Sequence, residues 1–591
     1  MFTALLAAVV IAAPSPRVYN VEWSAPSTGP GTDVGKKLTY QDAMPLGNGR
    51  VTAIAWANTT LGGIGMYFGS QEAMALDTTL YKLAHLQVAV TPNPFTASAL
   101  FNQTLDVSTG TVYVALGAVT LAVSVDANHD VLRITVHSPS PVSISVTSTS
   151  TRPADAPWFN NGATTCARAA SNPDVYVDPI PPAMALKRAS PNALKFRHAS
   201  GAQRPLRTLR TIPRVGSFQA ASIIAYHRND ASEGDALDTL FKSQGIESLV
   251  KTTPDFWTDR QSGFVLEGEP GASALKRVDP HTLASDAPNT SFALRATVLA
   301  VQTSTAAEWT EDLAALVATA PPAAVARSAH EAWWASFWAR SHIEINATRW
   351  PALPAAGNDA GFKTSQMYAI TRYTQAIQSR NTMWPIKFNG MAFIAQMGNN
   401  GEADARDWGS CNWWQNTRLP YGAMLAAGDY DTFETILKYK LNQEAMLSQR
   451  TQLYFGHPGM WTTETSHLTG AYRGADYGCA RDAEYPIQYE ASGYLHVDQG
   501  GDSGGPEYAL MAMDFLLWSS ANASLPTQGA QAYLRLATQV AEYYLHHFTN
   551  KSADGKVLVW PAQVLETFWC DWNATLNTWT NCCANDSPTI R

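Results

Sequence analysis

The chain has 591 residues and a mass of 64.0 kDa, which at roughly 100–200 residues per domain implies two to four domains. Hydrophobic residues make up 46% and charged residues 15%, a balance that excludes a charge-rich disordered chain. The formal net charge of −8 argues against a dedicated binder of nucleic acid or another polyanion, and 19 Trp supply many flat apolar faces for burial or for a ligand.

Residues 1–13 read as a secretory signal peptide. The apolar run Leu5–Ala13 ends in small residues, although no Lys or Arg precedes it. No other stretch approaches ~20 uninterrupted apolar residues, so no membrane span is expected and the destination is extracellular. Asn-X-Ser/Thr sequons at Asn58, Asn102, Asn289, Asn346, Asn522, Asn550, Asn573 and Asn585 fit an exported glycoprotein. The six cysteines, Cys166, Cys411, Cys479, Cys570, Cys582 and Cys583, contain no CxxC pair. A zinc ribbon is therefore disfavoured, and one or two disulfides are the expectation, their pairing left open. No metal or cofactor is implied.

From about Tyr19 to Ala300 the pattern is β-like. Val112, Val114 and Leu116 alternate with polar residues, as do Leu121, Val123 and Val125, and Leu132, Ile134 and Val136. After a Ser-Pro-Ser-Pro turn come Val142, Ile144 and Val146. Such alternation predicts antiparallel strands with one wet face, and so many of them predict a sandwich over 17–305. Arg152–Arg214, rich in Pro, Ala and Arg, reads as long loops, and Phe292–Thr305 as a last strand. The period then changes. Trp309–Leu316 and Ala323–Arg340 read as helices of a linker, 306–350, in which Trp334, Phe337 and Trp338 share a face and pack between domains.

Residues 351–591 are helical. Met367, Ile370, Tyr373 and Ile377 share a face. So do Phe433, Leu437 and Leu441, and Leu536, Val540, Tyr544 and Phe548. A helix begins at Pro506-Glu507 with Leu510, Met513 and Leu517 on one stripe. Long loops, Asn389–Arg406 and His457–Pro506, separate these helices. Helices joined by long, aromatic, Gly-rich loops predict an α/α toroid whose loops build a pocket, though an irregular bundle has the same spacing.

Four segments of this half carry chemistry. In Trp408–Tyr421, the residues Asn412, Trp413, Trp414, Gln415, Asn416 and Arg418 suit a sugar, whose C–H faces stack on indoles and whose hydroxyls pair with amides. A Trp-rich buried face is the alternative. In Gly459–His467, Glu464 lies among rings and hydroxyls, a setting that raises a carboxyl pKa; a solvated loop residue is the alternative. In Gly500–Glu507, glycines permit close backbone approach to a ligand, while Glu507 also suits a helix N-terminus. In Val557–Trp569, Glu566 is a lone acid among aromatics. Glycosidic cleavage needs paired carboxyls, and Asp476, Asp482, Glu484 and Glu490 are further candidates. No Walker loop, HExxH or dinucleotide fingerprint is present. Gly501–Gly505 matches GxSxG, but Ser503 lacks the strand that a nucleophile elbow requires.

These segments together resemble glycoside hydrolase family 95, the α-L-fucosidase/galactosidase group, and more closely its relatives in the six-hairpin glycosidase superfamily. The resemblance is carried by Met44-Pro45-Leu46-Gly47-Asn48-Gly49-Arg50, Lys387-Phe388-Asn389-Gly390, the run Trp413–Tyr421, Gly428-Asp429 and Pro561-Ala562-Gln563-Val564-Leu565-Glu566. It implies a multidomain α+β protein, an N-terminal antiparallel β-sandwich followed by a partial (α/α)6 toroid, and an inverting mechanism. It implies Glu566 as general acid, with Asn412 and Asn416 standing in for an amide pair that orients water. Arg406 and Trp408 occupy the places of the family's own pair. Relatives continue into further helices, so a C-terminally truncated barrel is expected over 351–591.

The leading expectation is a secreted hydrolase of oligo- or polysaccharides, with Glu566, Asn412 and Asn416 catalytic. Trp413, Trp414, Gln415, Arg418, Glu464 and Glu507 would bind a carbohydrate substrate. A non-catalytic carbohydrate-binding protein is the alternative, and a phosphorolytic enzyme the third reading.

Overall fold

The computed structural model describes residues 19–27, 43–74, 80–96, 99–149, 175–177, 218–229, 238–345 except 239 and 243, 360–387, 412–471 except 464, 505–520, 527–553 and 555–558, with short pieces at 571–573, 575, 578–580 and 589–590. The six cysteines, the Arg152–Arg214 loops apart from 175–177, the signal segment, Gln415's side chain, Glu464, Glu566 and Ser503 lie outside these residues.

The N-terminal half is an antiparallel sheet curled into two packed leaves. One leaf runs β1 (Val21–Trp23), β6 (Phe101–Asp106), β7 (Thr111–Leu116), β8 (Val119–Val125), β9 (Val131–Thr149), β15 (Asn289–Gln302), β12 (Arg260–Gly268), β11 (Ser222–Arg228) and β10 (Val175–Val177). The other contains β2 (Met44–Gly47), β3 (Val51–Asn58), β4 (Gly63–Met74), β5 (Leu80–Thr91), β13 (Leu275–Asp279) and β14 (Thr282–Ser285). The alternating residues expected to be buried are buried: Val112, Val114, Leu121, Val123, Ile134, Ile144 and Val146 join Phe68, Leu86, Phe264 and Leu294 in one core. Phe68 and Phe264 meet edge to face across the leaves at 5.0 Å.

Ser138-Pro139-Ser140-Pro141 is not a turn. It lies inside β9, whose first part pairs with β8 and β15 and whose last part pairs with β5 and β14. Proline gives no N–H to a ladder. The strand therefore leaves one leaf at this exposed stretch and re-enters pairing in the other.

Helix α1 (Ala306–Thr319) covers β11 and β12 through Trp309 and Leu313 against Ile224 and Val265. Helix α2 (Ala323–Arg340) buries Ala326, His330, Trp334 and Phe337, one stripe at helical spacing. The expected aromatic face is thus a packing face: Trp334 stacks on Tyr373 at 5.4 Å, and half-buried Trp338 donates its indole N–H to the Val107 carbonyl. His330 accepts from the Ala127 N–H at Nδ1, so Nε2 carries the proton and donates to the Thr109 carbonyl at 2.6 Å. The segment expected as a linker is docked on the sandwich.

Helix α3 (Ala360–Gln378) buries Ser365, Ala369, Arg372, Tyr373 and Ala376. Met367, expected on the packing face, is exposed, because the inward stripe runs through Ser365, Ala369, Arg372, Tyr373 and Ala376 and Met367 lies off it. That guanidinium makes two bonds to Asp429, at 2.9 and 2.8 Å, and donates to the Ser341 and Phe337 carbonyls. The seam between halves uses the Met44–Arg50 segment. Asn48 accepts from the Arg50 and Val51 N–H groups and donates to the Asp126 and His129 carbonyls. Gly49 has φ +88°, and a Cβ there would lie 2.4 Å from the Arg380 Cβ.

Short helices α4 (Trp414–Thr417) and α5 (Met424–Ala427) lead into α6 (Tyr430–Phe455), followed by α7 (Gly505–Ser520) and α8 (Thr527–His547). Leu536, Val540, Tyr544 and Phe548 are buried together as expected, with Phe433 and Leu437. On α7 the Leu510–Met513–Leu517 stripe faces outward instead. Tyr508, Ala512, Phe515 and Ser519 form the inner face, of which Ala512 and Ser519 are the small residues that an apolar pattern passes over. Among the described residues no helix is long and apolar enough to cross a membrane.

Candidate active site

Helix α6 turns an unusually polar stripe inward. Tyr439, Lys440, Gln443 and Arg450 are all fully buried. Buried polar groups must be paired, and here they hold the backbone of the Met460–Ala471 segment. Tyr439 Oη donates to the Ser466 carbonyl at 2.8 Å, and Gln443 Nε2 donates to the His467 carbonyl at 2.7 Å. Arg450 donates to the Gly470 carbonyl at 3.0 Å and lies over the Trp461 ring at 4.6 Å. Gln443 Oε1 accepts from Lys440 and from Ser466 Oγ.

This clamp places three of the four chemically suggestive segments side by side. Asn412 and Trp413 pair with Ser466 and Thr465 in a short antiparallel ladder, which puts the expected Trp-rich segment beside the Glu464 loop. Asn412 Nδ2 donates to Tyr439 Oη at 3.0 Å. Glu507, on the first turn of α7, accepts from the Trp414 indole N–H at 2.5 Å and from Arg418 at 2.6 Å through each oxygen. Trp414 packs on Tyr508 at 3.8 Å between ring centres, and the Lys440 ammonium sits 4.7 Å from the Tyr508 ring centre.

Trp413 and Trp414 are buried at 3% and 2% exposure in the hydrophobic core, so they are the Trp-rich buried face that the sequence left as the alternative and offer no ring face for a sugar to stack on. Arg418 and Glu507 are partly exposed, with side chains at 29% and 37%, and Asn416 is half-buried. An exposed charge pair of this kind contributes little to stability. Glu464, Glu566 and the Gln415 side chain fall outside the described residues, so the distance from Glu566 to the Trp413–Arg418 segment is not part of this geometry. Sequence reasoning did not single out Tyr439, Lys440, Gln443 and Tyr508. The recurrence of polar residues at Tyr439, Gln443 and Arg450 on one helix face was the available signal. Among the described residues no group of three or more His, Cys, Asp or Glu is placed to hold a metal ion.

Beyond α6, His457 donates from Nδ1 to the Pro458 carbonyl, since a carbonyl can only accept. Its Nε2 therefore accepts from His547 Nδ1–H at 3.1 Å. Burial, and then the neighbouring His457, lower the His547 pKa to about 4; burial does the same to His85 in the sandwich. Both values lie below the ordinary 6.5, so the unfolded chain takes up protons that the native state refuses. Stability is full above pH ~6.5 and falls as pH drops towards ~4, by about 2–3 kcal/mol per histidine. Denaturant midpoints measured from pH 7.5 to 4 should show this decline, and His85→Phe should remove about half of it, His547 supplying the rest; a pH-independent midpoint would contradict the assignment.

Residues 36–343 match the family described as Domain of unknown function (DUF5703), in its N-terminal part. No curated protein matches. Among solved structures, the chain is similar to one described as "Putative kojibiose phosphorylase from human microbiome", with TM-score 0.46 and 10% identity over 88% of this chain and 57% of that one. It is also similar to a bacterial glucoamylase complexed with acarbose, with TM-score 0.34 and 9% identity over 89% of this chain and 70% of that one. This chain thus spans little more than half the length of the phosphorylase. Both scores lie below 0.5, and neither likeness bears on activity.

Proposed function

This chain belongs to the DUF5703 family, and from that premise we propose that it is a secreted glycoside hydrolase that cleaves oligo- or polysaccharides with inversion. One observation carries the reading. Segments chosen for sugar chemistry, Asn412–Arg418, the loop around Ser466, and Glu507, converge on one polar centre backed by tryptophan. The motif resemblance to glycoside hydrolase family 95 and its six-hairpin relatives supports it from the sequence side.

In this reading Glu566 protonates the leaving oxygen, and Asn412 or Asn416 orients the attacking water. Arg418 and Glu507 pair with sugar hydroxyls, Trp413 and Trp414 pack in the core behind them, and Gln415 and Glu464 complete the site. Helices from 351 onward form part of an (α/α)6 toroid, behind a sandwich over 17–305 and the 306–350 helices.

The test is a screen of aryl glycosides and oligosaccharides with and without inorganic phosphate. The expected result is free reducing sugar whose rate of release ignores phosphate, with the first-formed anomer, read by proton NMR, opposite to that of the substrate. Glycan binding by calorimetry with no released sugar would replace this reading with a non-catalytic binder, and phosphate-dependent turnover with a phosphorylase.

A further inference from the structure

The seam between the sandwich and the helical half encloses a small, partly open cavity. Gln71 and Met74 of β4 and Leu80 of β5 line it from one side, and Trp384, Lys387 and Asn412 from the other. Gln71, Trp384 and Asn412 are at least nine-tenths buried, and each carries a polar atom with no hydrogen-bond partner among the described residues: Gln71 Oε1, Trp384 Nε1 and Asn412 Oδ1.

The orientation of both amides is fixed by their other bonds. Gln71 faces the Trp384 carbonyl at 3.0 Å, which can only accept, so its NH2 points there and its oxygen is the free end. Asn412 faces Tyr439 Oη, whose proton is committed to the Ser466 carbonyl. The Asn412 NH2 must therefore donate, and again the oxygen is the free end. Around this mostly apolar cavity, three of the lining residues thus hold two acceptors in want of donors and one donor in want of an acceptor. Leaving such atoms unpaired in a buried place is costly.

The count selects the guest. A carboxylate or phosphate offers acceptors and cannot serve the two amides. A cation can serve the two amides but leaves the Trp384 N–H without an acceptor. An apolar guest leaves all three atoms unsatisfied. A hydroxyl serves both roles, a water donating to both amides and a sugar hydroxyl to one of them, and the space suits about one such group. We propose that this cavity is a hydroxyl-binding site in which Trp384 Nε1–H donates to the oxygen and Gln71 Oε1 or Asn412 Oδ1, or both in the case of a water, accept from it. The hydroxyl comes from a resident water or from a bound carbohydrate; the carbohydrate source rests on the function proposed above, and the water source does not. In the carbohydrate case the sandwich contributes directly to the sugar site through Gln71.

Crystals of the full chain, untreated, pressurised with xenon, or soaked in D-glucose, D-galactose or L-fucose, test this. The expected density is an oxygen within about 3.5 Å of at least two of the three atoms. A sugar oxygen there, with binding about tenfold weaker in Trp384→Phe by calorimetry, assigns the site to carbohydrate. A water there in every soak, with sugar affinity unchanged in Trp384→Phe, assigns it to water. Xenon in the cavity, with no oxygen near the three atoms, overturns the proposal, because dry apolar cavities take xenon. Sugar bound elsewhere together with xenon in the cavity sinks this inference and leaves the hydrolase reading standing. A resident water in a protein that binds and cleaves no sugar does the reverse.

Discussion

Replacing Arg372 with Met should cost the helical half about 3–5 kcal/mol, the largest stability loss expected of any single substitution at the seam. Arg372 and Asp429 are both nearly fully buried and face each other through two bonds. Methionine fills similar volume but leaves the Asp429 carboxylate, among the described residues, with only the longer contact to Arg340, at 3.4 Å. It also strands the Ser341 and Phe337 carbonyls and removes the guanidinium from the Phe337 ring, 4.4 Å away. Asp429 immediately precedes α6, so the stranded charge sits where three helices meet. Adding Asp429→Asn to Arg372→Met removes that charge and should recover about 1–2 kcal/mol of the loss. Chemical denaturation followed by tryptophan fluorescence reads both. A single variant within about 1 kcal/mol of wild type would show that the pair contributes no more than a surface contact.

Glu566→Gln should lower turnover by about 10²–10⁴-fold, the range associated with losing a general acid. Glutamine keeps the shape and hydrogen-bonding reach of the protonated acid but has no proton to give. The loss should therefore depend on the leaving group. Aryl glycosides with a poor leaving group should suffer the full effect, and those whose phenolate departs without protonation should suffer much less. KM should change little, because the lost interaction develops in the transition state. Uniform loss across leaving groups would mean that Glu566 does not act as the acid; unchanged turnover would remove it from the site.

How far the fold was readable depended on which residues carry it. Where burial is apolar and one-sided, as at Val112–Val125, alternation located the strands and their inner faces. Proline read as punctuation at Ser138–Pro141 gave two strands where the chain has one, since local signals do not say which leaf a strand will join. In the helical half the pattern failed at Met367 and Leu510 for a shared reason. Their helices bury Arg372, Ser365 or Ser519 on the inner face, and apolar periodicity cannot see polar residues that are paired inside. The site was legible as residue types. Asn412, Trp414, Arg418 and Glu507 were all singled out, but their adjacency was not, because it depends on a two-residue ladder and on the Tyr439–Gln443–Arg450 stripe.

The course of β9 has a thermodynamic consequence. Because one 19-residue strand supplies rungs to both leaves, neither leaf can melt while the other keeps its ladder whole. Slow-exchanging amides on Val131–Val136 and Val142–Val146 should then open in a single event of common free energy, so that the sandwich behaves as one foldon.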